Sequence, residues 1–210
     1  MTGFRNSGTD DLLRRAAHGD QDAAQQLLVR YSQRLKKMVA VRMDRRLSQR
    51  VDPSDVVQET LIEASRKLPN YLRDQPLPFY PWIRQLALEQ IIQHHRRHLG
   101  VGRRKLTREE LFSLPLPRHS EVELEKRLVD DTASPSDQAA RKELRAQVQA
   151  AMEQLDAVDR EILALRYLEQ LTTEETAAVL GLTVAGAKSR QRRALQRLRR
   201  ALGGDSPENE

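Results

Sequence analysis

The sequence predicts an all-α protein in which two small helical domains are joined by a flexible acidic linker. Along most of the chain, apolar residues recur at steps of three and four, which is the spacing of one face of an α-helix. No segment alternates apolar and polar residues in the way that a half-buried strand does. Between residues 103 and 136 the helical spacing weakens, and prolines and acidic residues accumulate. This stretch is the predicted linker, with one short helical piece expected around Val122 to Leu128.

Composition narrows the class of protein. The chain has 210 residues, of which 39% are hydrophobic, and this is enough for compact cores. No apolar run approaches the roughly 20 residues that span a bilayer, and the first residues lack the apolar core of a secretory signal. Because the chain contains no cysteine, we expect a cytoplasmic protein with no disulfides. The lack of a long apolar run leads us to expect no membrane partner. The net charge of +6 favours an anionic partner.

The predicted first domain spans residues 8–102 and begins with two helices. Asp10 to Ala17 forms a short helix that ends near Gly19. Asp20 opens a longer helix, because an aspartate side chain accepts hydrogen bonds from the free amides of a first helical turn. The helical spacing predicts its core-facing residues, which are Ala24, Leu27, Leu28, Tyr31, Leu35, Met38 and Val39.

Asp52 and Pro53 predict the start of the next helix, with the aspartate as its cap and the proline at its first position. Its apolar stripe reaches Leu68, and the helix is expected to end there because Pro69 follows. A second face of the helix is polar and holds Asp55, Gln58, Glu59 and Glu63. This face is either solvated or a docking surface for a basic partner, and both interpretations stay open.

Residues 69–81 contain four prolines, which predict a stiff loop. Pro81 is expected at the first position of the following helix, which should end at Gly100 and Gly102. The same region is rich in aromatic residues, namely Tyr71, Phe79, Tyr80 and Trp82. They either cover a small helical core or stack on unpaired bases, which contributes roughly 1–3 kcal/mol per base. In the second case Arg84, Arg96 and Arg97 would bind the phosphates of the same strand.

No enzyme site is predicted. Two of the three histidines near the end of this helix, His94 and His98, are four residues apart, but the further ligands of a metal site are missing. The glycines never form a GxGxxG or GxxxxGK[ST] phosphate loop. No nucleophile with a base, and no pair of carboxylates, stands out at a catalytic spacing. We therefore expect no catalytic residues, no metal and no cofactor.

Residues 137–202 are the predicted second domain, a bundle of four helices, and residues 203–210 are a predicted disordered tail. One helix has an apolar face made of Leu144, Val148, Ala151, Met152 and Leu155. Asp156 to Leu168 is the next helix. Its core-facing residues are predicted to be Ile162, Leu163, Leu165 and Leu168.

The last two helices of this domain form a predicted helix-turn-helix. Thr172 and Glu175 match a capping box, in which each side chain accepts a hydrogen bond from an amide at the helix start. Gly181 fits the left-handed residue that ends such a helix, and Thr183 can cap the next one. The pattern is typical of a DNA-binding helix-turn-helix.

The final helix, Val184 to Leu202, carries seven Lys or Arg residues and no acid. Its apolar face holds Ala187, Ala194, Leu195, Leu198 and Leu202. Arg190, Arg193 and Arg197 lie on another face. A packed face together with a positive one favours a recognition helix, although a solvated basic face has the same composition.

Four segments, in the same order along the chain, resemble the bacterial extracytoplasmic-function (ECF) sigma factors. They extend over roughly Asp10 to Leu202 and leave only the linker unmatched. The segments are Asp55-Val-Val-Gln58-Glu59-Thr-Leu, Pro81-Trp82-Ile83-Arg84-Gln-Leu-Ala87, Leu155-Asp-Ala-Val-Asp159-Arg160-Glu161-Ile-Leu-Ala-Leu-Arg166-Tyr167, and the helix-turn-helix with Ala177-Ala-Val-Leu-Gly181-Leu and Lys188-Ser189-Arg190. Four ordered segments at the family's spacing are specific, whereas any single one is not.

The resemblance implies an RNA polymerase sigma factor that binds the core polymerase and directs promoter-specific initiation with opening of the −10 element. The first domain would bind the clamp of the largest subunit through Asp55, Gln58 and Glu59. The opened −10 strand would contact Tyr71, Phe79, Tyr80, Trp82, Arg84, Arg96 and Arg97. The second domain would bind the flap of the second-largest subunit. Its last helix would enter the −35 major groove with Lys188, Ser189, Arg190, Arg192, Arg193 and Arg197. An anti-sigma protein is a further candidate partner.

The chain departs from the family between Val184 and Ala187, where many members have Glu-Gly-Thr-Val. Gly186 would cost about 1 kcal/mol relative to alanine in a helix interior. Two other functions stay open as alternatives. A stand-alone helix-turn-helix regulator would bind duplex DNA as a dimer, without need of the Asp55 helix or the aromatic loop. A metal-dependent nuclease would use His94 and His98.

Overall fold

The computed structural model describes residues 7–99, 116–132 and 138–201. All of the regular secondary structure in these ranges is helical, which confirms the predicted all-α class. The chain divides into two compact units, Met1–Arg104 and Lys105–Glu210. The predicted helix end at Gly100 and Gly102, the tail 203–210 and Leu202 lie outside the described residues. Within those ranges, no helix is long and apolar enough to cross a membrane.

Among its described residues 7–99, the first unit contains five helices. They are α1 (Ser7–Ala17), α2 (Gln21–Arg42), the single turn α3 (Arg45–Ser48), α4 (Pro53–Asp74) and α5 (Phe79–Leu99). Helices α2, α4 and α5 pack against one another, and α1 lies on α2 and α4. Leu27, Leu35, Met38 and Ile83 are fully buried between them. The core of this unit is therefore formed by the three long helices.

The start of α2 confirms the predicted aspartate cap. Asp20 accepts a hydrogen bond from the amide of Ala23 at 2.9 Å, and Arg15 donates two more to the same carboxylate at 2.7 and 2.9 Å. These donors favour the charged form, so the amide of Ala23 and the Arg15 guanidinium hold the pKa of Asp20 below its usual range. Gly19 precedes the cap with a left-handed φ of +89°.

Helix α4 confirms the cap at Asp52, which accepts a bond from the amide of Ser54 at 2.7 Å. The prediction that this helix ends before Pro69 is wrong, because α4 continues through the proline to Asp74. A proline inside a helix loses one backbone hydrogen bond at a cost of about 3 kcal/mol. Leu68 and Tyr71 lie on either side of it and are both 4% exposed, so burial of the extended stripe offsets that cost.

The predicted proline loop is correspondingly short, since only residues 75–78 separate α4 from α5. Gln75 ends α4 in a left-handed conformation with φ 37°, and its amide donates to the Tyr71 carbonyl at 2.7 Å. Helix α5 begins at Phe79, two residues before the predicted start at Pro81. A proline in the first turn is tolerated because amides there have no partner within the helix. Tyr71 Oη donates to the Leu77 carbonyl at 3.0 Å and fixes the loop.

The second unit contains α6 (Arg118–Thr132), α7 (Gln138–Glu153), α8 (Ala157–Leu163), α9 (Thr173–Leu180) and α10 (Val184–Ala201). Helix α8 continues directly into a single π-helical turn, Ala164–Leu168. Asp156 caps α8 by accepting a bond from the amide of Asp159 at 2.7 Å. The predicted core residues of this segment are all buried, namely Ile162, Leu163, Leu165 and Leu168.

Helix α6 lies within residues 103–136, where the sequence predicted a linker with only a short helical piece near 122–128. It is a full helix of 15 residues that packs on α7 and on the π turn. Leu124, Leu128 and Val129 are at most 2% exposed, and Arg127 donates to the Tyr167 carbonyl at 2.8 Å. The acids between the apolar residues, including the buried Glu125, obscure the helical spacing in the sequence.

Candidate nucleic-acid interface

The helix-turn-helix is built as its local sequence predicts. Thr172 Oγ1 accepts a bond from the amide of Glu175 at 3.1 Å, and Glu175 Oε2 accepts one from the amide of Thr172 at 2.9 Å. This reciprocal pair confirms the predicted capping box. Gly181 ends α9 with φ 65°, a conformation that costs a residue with a side chain about 1–2 kcal/mol. The turn at Gly181 therefore connects α9 to α10.

The first turn of α10 explains the unusual Gly186. Thr183 confirms its predicted capping role, since its Oγ1 accepts a bond from the Gly186 amide at 3.0 Å. A Cβ added to Gly186 would lie only 3.0 Å from the same Oγ1. Gly186 occupies the third helical position and not the helix interior, so the interior cost expected from the sequence does not apply there. The glycine instead leaves room for the capping hydroxyl.

One face of α10 packs against the rest of the second unit. Ala187, Ala194 and Leu198 are at most 4% exposed, as the apolar spacing predicts, and Leu195 is half-buried. Helices α7, α8 and α9 all contact α10. Small residues at 187 and 194 let the helix axis approach its neighbours closely. This contact holds α10 on the unit's surface with its opposite side exposed.

Two arginines predicted to contact DNA are held by carboxylates of α8 and its cap. Arg197 Nη1 lies 2.7 Å from Asp159 Oδ2, and Arg190 Nη1 lies 3.6 Å from Asp159 Oδ1 and 3.6 Å from Asp156 Oδ1. Burial is the largest influence on Asp159 and raises its pKa, with Asp156 adding to the rise while the nearby arginines oppose it. Arg190 and Arg197 therefore point along the unit's own surface.

The opposite face of α10 is positive and exposed. Its cations are Lys188, Arg192, Arg193, Arg199 and Arg200. Among the described residues, none of these five lies within ion-pair distance of a carboxylate. Ser189 and Gln196 lie on the same face by the 3.6-residue repeat. The sequence prediction omitted Gln196, Arg199 and Arg200, although that repeat applied to the whole helix would have identified them.

The aromatic residues predicted to contact the −10 strand lie in the core of the first unit. Tyr71, Phe79, Tyr80 and Trp82 are between 2% and 9% exposed. Tyr71 stacks on Trp82 with ring centroids 4.4 Å apart, and Phe79 packs against both. Arg34 covers the Tyr80 ring at 3.5 Å from its centroid. Of the two interpretations left open by the sequence, this packing supports the one in which the rings cover the helical core.

The predicted basic residues of α5 fall into two groups. Arg84 is 1% exposed and belongs to the core. Arg96 is half-buried and Arg97 is exposed near the end of the helix. The histidines in this region face acids of other elements. His94 Nε2 lies 3.1 Å from Glu59 Oε2, and His95 Nε2 lies 3.8 Å from Asp44 Oδ2.

The residues predicted to bind the polymerase lie on one side of α4. Asp55 and Gln58 are exposed, whereas Glu59 is half-buried because it contacts His94. The pairing gives His94 a carboxylate partner on another helix. In the part of the chain that the structure describes, no cluster of three or more His, Cys, Asp or Glu residues is suited to a metal ion.

Two family models match the chain, one for each unit. The model for sigma-70 region 2 matches residues 27–99, and the model for sigma-70 region 4 matches residues 145–198. The first match contains α4 and α5, and the second contains the helix-turn-helix. Helix α6 lies between the two matched ranges.

Several sigma factors are similar along nearly the whole chain. RNA polymerase sigma factor CnrH of Cupriavidus metallidurans is 29% identical over 93% of this chain and 94% of its own length. ECF RNA polymerase sigma factor SigD of Mycobacterium tuberculosis is 29% identical over 90% of this chain and 82% of its own length. A solved structure of CnrH in complex with the cytosolic domain of CnrY is 26% identical, covers 95% of this chain and 99% of that chain, and has a TM-score of 0.46.

Proposed function

This chain belongs to the ECF RNA polymerase sigma factors, and from that premise we propose a separate role for each of its two units. The second unit binds the −35 promoter element through the exposed face of α10. The first unit binds the core polymerase through α4 and the −10 strand through the end of α5. The alternative of a stand-alone regulator leaves the first unit without a role.

The observation that carries the −35 assignment is the exposed face of α10. Five cations follow this face, and the helix-turn-helix holds it away from the packed side of the unit. In such motifs the residues at the N-terminal end of the recognition helix contact base edges, while cations along its length bind phosphates. We assign Lys188 and Ser189 to the bases, and Arg192, Arg193, Arg199 and Arg200 to phosphates.

The polymerase contact is supported by the exposed side of α4. Asp55 and Gln58 project from a helix that the core of the unit holds on its other face. The positive part of the polymerase that they would meet is the clamp of the largest subunit, and the second unit would bind the flap of the second-largest subunit. Glu59 contributes less than Asp55, because His94 already occupies one of its oxygens.

The −10 contact is proposed for Arg96 and Arg97, with a supporting role for the aromatic cluster. The packed rings, together with the Tyr71 bond to the Leu77 carbonyl, give residues 75–78 a fixed shape between α4 and α5. A loop held in this way can accept a base without bringing a ring to the surface. We therefore assign Tyr71, Phe79, Tyr80 and Trp82 to holding the loop.

Run-off transcription tests the proposed function. The purified chain is added to bacterial core polymerase with a library of genomic promoter fragments, and we expect transcripts that start at a discrete set of sites. Replacement of Lys188 and Arg192 by alanine should abolish these transcripts while leaving the chain bound to core polymerase in gel filtration. Replacement of Asp55 and Gln58 by alanine should instead weaken the binding to core. A chain that binds duplex DNA but never core polymerase would favour the stand-alone regulator.

A further inference from the structure

Asp159 is a buried carboxylate that binds two arginines of the recognition helix at once. Its side chain is 4% exposed, whereas the side chains of Arg190 and Arg197 are 32% and 53% exposed. Oδ2 is 2.7 Å from Arg197, and Oδ1 is 3.6 Å from Arg190. The two arginines are seven residues apart, and two turns of α10 bring them to the same side of the helix. One carboxylate thus occupies the flank of α10 beside its exposed face.

The position of Asp159 is itself determined by the start of α8. Its amide donates to the capping carboxylate of Asp156 at 2.7 Å, which holds it in the first helical turn. Asp156 Oδ1 adds a second contact to Arg190 at 3.6 Å. A carboxylate that is buried this deeply requires compensating charge, and the two arginines supply it. The arrangement therefore connects the recognition helix to the core by charge as well as by packing.

We infer that Asp159 is a positioning residue that withholds Arg190 and Arg197 from the DNA backbone and so limits the cations that α10 presents to the groove. The inference rests on the proposed role of α10 in duplex binding. Without Asp159, both arginines would be free to swing outward, because their long side chains are already partly exposed. α10 would then present seven cations instead of five. Phosphate contacts of this kind add affinity for any sequence and so dilute specificity.

The dependence of DNA binding on salt reports this difference directly. Each phosphate neutralised by a cation contributes about −0.9 to the slope of the logarithm of the binding constant against the logarithm of salt concentration. Loss of packing alone weakens binding without adding phosphate contacts. A steeper slope after removal of a negative charge therefore separates the positioning role from a structural one.

The experiment measures binding of the full chain to a fluorescent duplex of unrelated sequence by anisotropy, over salt concentrations of about 50 to 200 mM. For Asp159→Asn we expect the slope to become steeper by about one to two. Arg197→Gln should leave the slope of the wild type unchanged. The matched control Arg192→Gln, on the exposed face, should make the slope shallower by about one. The double variant D159N/R197Q should remove about half of the increase seen with D159N alone.

Each outcome supports or overturns the positioning role of Asp159. The inference is overturned if Arg197→Gln flattens the slope as much as Arg192→Gln does, or if folded D159N has the slope of the wild type. If D159N does not fold, as judged by circular dichroism, the comparison of Arg197→Gln with Arg192→Gln decides alone. If the wild type does not bind duplex DNA, or if Arg192→Gln has no effect, the proposed role of α10 fails, and this inference fails with it.

Discussion

Arg197 of α10 donates a hydrogen bond of 2.7 Å to Asp159 of α8, a carboxylate that is almost fully buried. Bonds of this kind connect the recognition helix to the helix before the helix-turn-helix. The acceptor lies in the first turn of α8, and the donor lies in the fourth turn of α10. This ion pair therefore adds to the packing that holds α10 against α8.

Removal of this pair should destabilise the second unit. We expect Arg197→Gln to lower the free energy of unfolding by about 1–2 kcal/mol, because a hydrogen bond to a charged group is lost and the remaining carboxylate is buried. The partial exposure of Arg197 keeps the loss below that of a fully buried pair. Urea denaturation of the full chain, followed by circular dichroism, measures it. Arg199→Gln on the exposed side serves as the control, and an equal loss in both variants would contradict the prediction.

The aromatic cluster should stabilise the first unit in the absence of DNA. Trp82→Ala removes a large buried ring that stacks on Tyr71 at 4.4 Å, and we expect it to cost about 3–5 kcal/mol. Thermal unfolding without nucleic acid provides the measurement. Arg97→Ala on the same helix should leave the stability unchanged and should weaken only the binding to opened promoter DNA. If Trp82→Ala unfolds at the wild-type temperature, the ring is not part of the core.

Helix α6 should behave as part of the second unit. Leu128 is 2% exposed, and we expect Leu128→Ala to lower the free energy of unfolding by about 2–5 kcal/mol. Lys126→Ala, on the exposed side of the same helix, is the matched control and should change little. Denaturation of the full chain compares the two variants. A wild-type midpoint for Leu128→Ala would mean that α6 does not dock in solution.

The cap at Asp20 should make the stability of the first unit depend on pH. The amide of Ala23 and the Arg15 guanidinium hold the pKa of Asp20 below its usual range, so the folded state binds its proton more weakly than the unfolded state does. The stabilisation is then fully present above the unfolded pKa of about 3.9 and is lost as the pH falls through the lower folded value.

The variant Asp20→Asn isolates this effect, since asparagine also caps helices but carries no charge. We expect wild type to melt at a higher temperature than the variant near pH 6, and the gap to close as the solution approaches pH 3. The difference between the two proteins cancels the titration of every other carboxylate. A gap of constant size over this pH range would show that the charge of Asp20 contributes nothing.

Local sequence predicted the capped helix starts and the Gly181 turn. Asp20, Asp52 and Thr172 each accept a hydrogen bond from an amide within three residues, so their effect does not depend on distant parts of the chain. The left-handed Gly181 is a local choice for the same reason. The helix-turn-helix and the all-α class could therefore be predicted from the sequence.

Predictions that required knowledge of distant neighbours were less successful. Pro69 was expected to end α4, but Leu68 and Tyr71 are buried against other helices and the helix continues. The full length of helix α6 was not predicted, because acidic residues interrupt the spacing of its apolar residues. Packing on α7 and the π turn buries those apolar residues. In both cases the free energy gained by burying side chains against distant parts of the chain outweighed the local conformational preference.

The sequence by itself determined the helical class, the caps and the turn of the recognition motif, and four segments that identify the family. It also placed seven cations and no acid on the last helix. Only the tertiary structure decided which of them remain available, because a carboxylate 38 positions earlier in the chain lies beside Arg197. A pattern within one helix specifies its faces, but the partner of each face depends on how the helices pack.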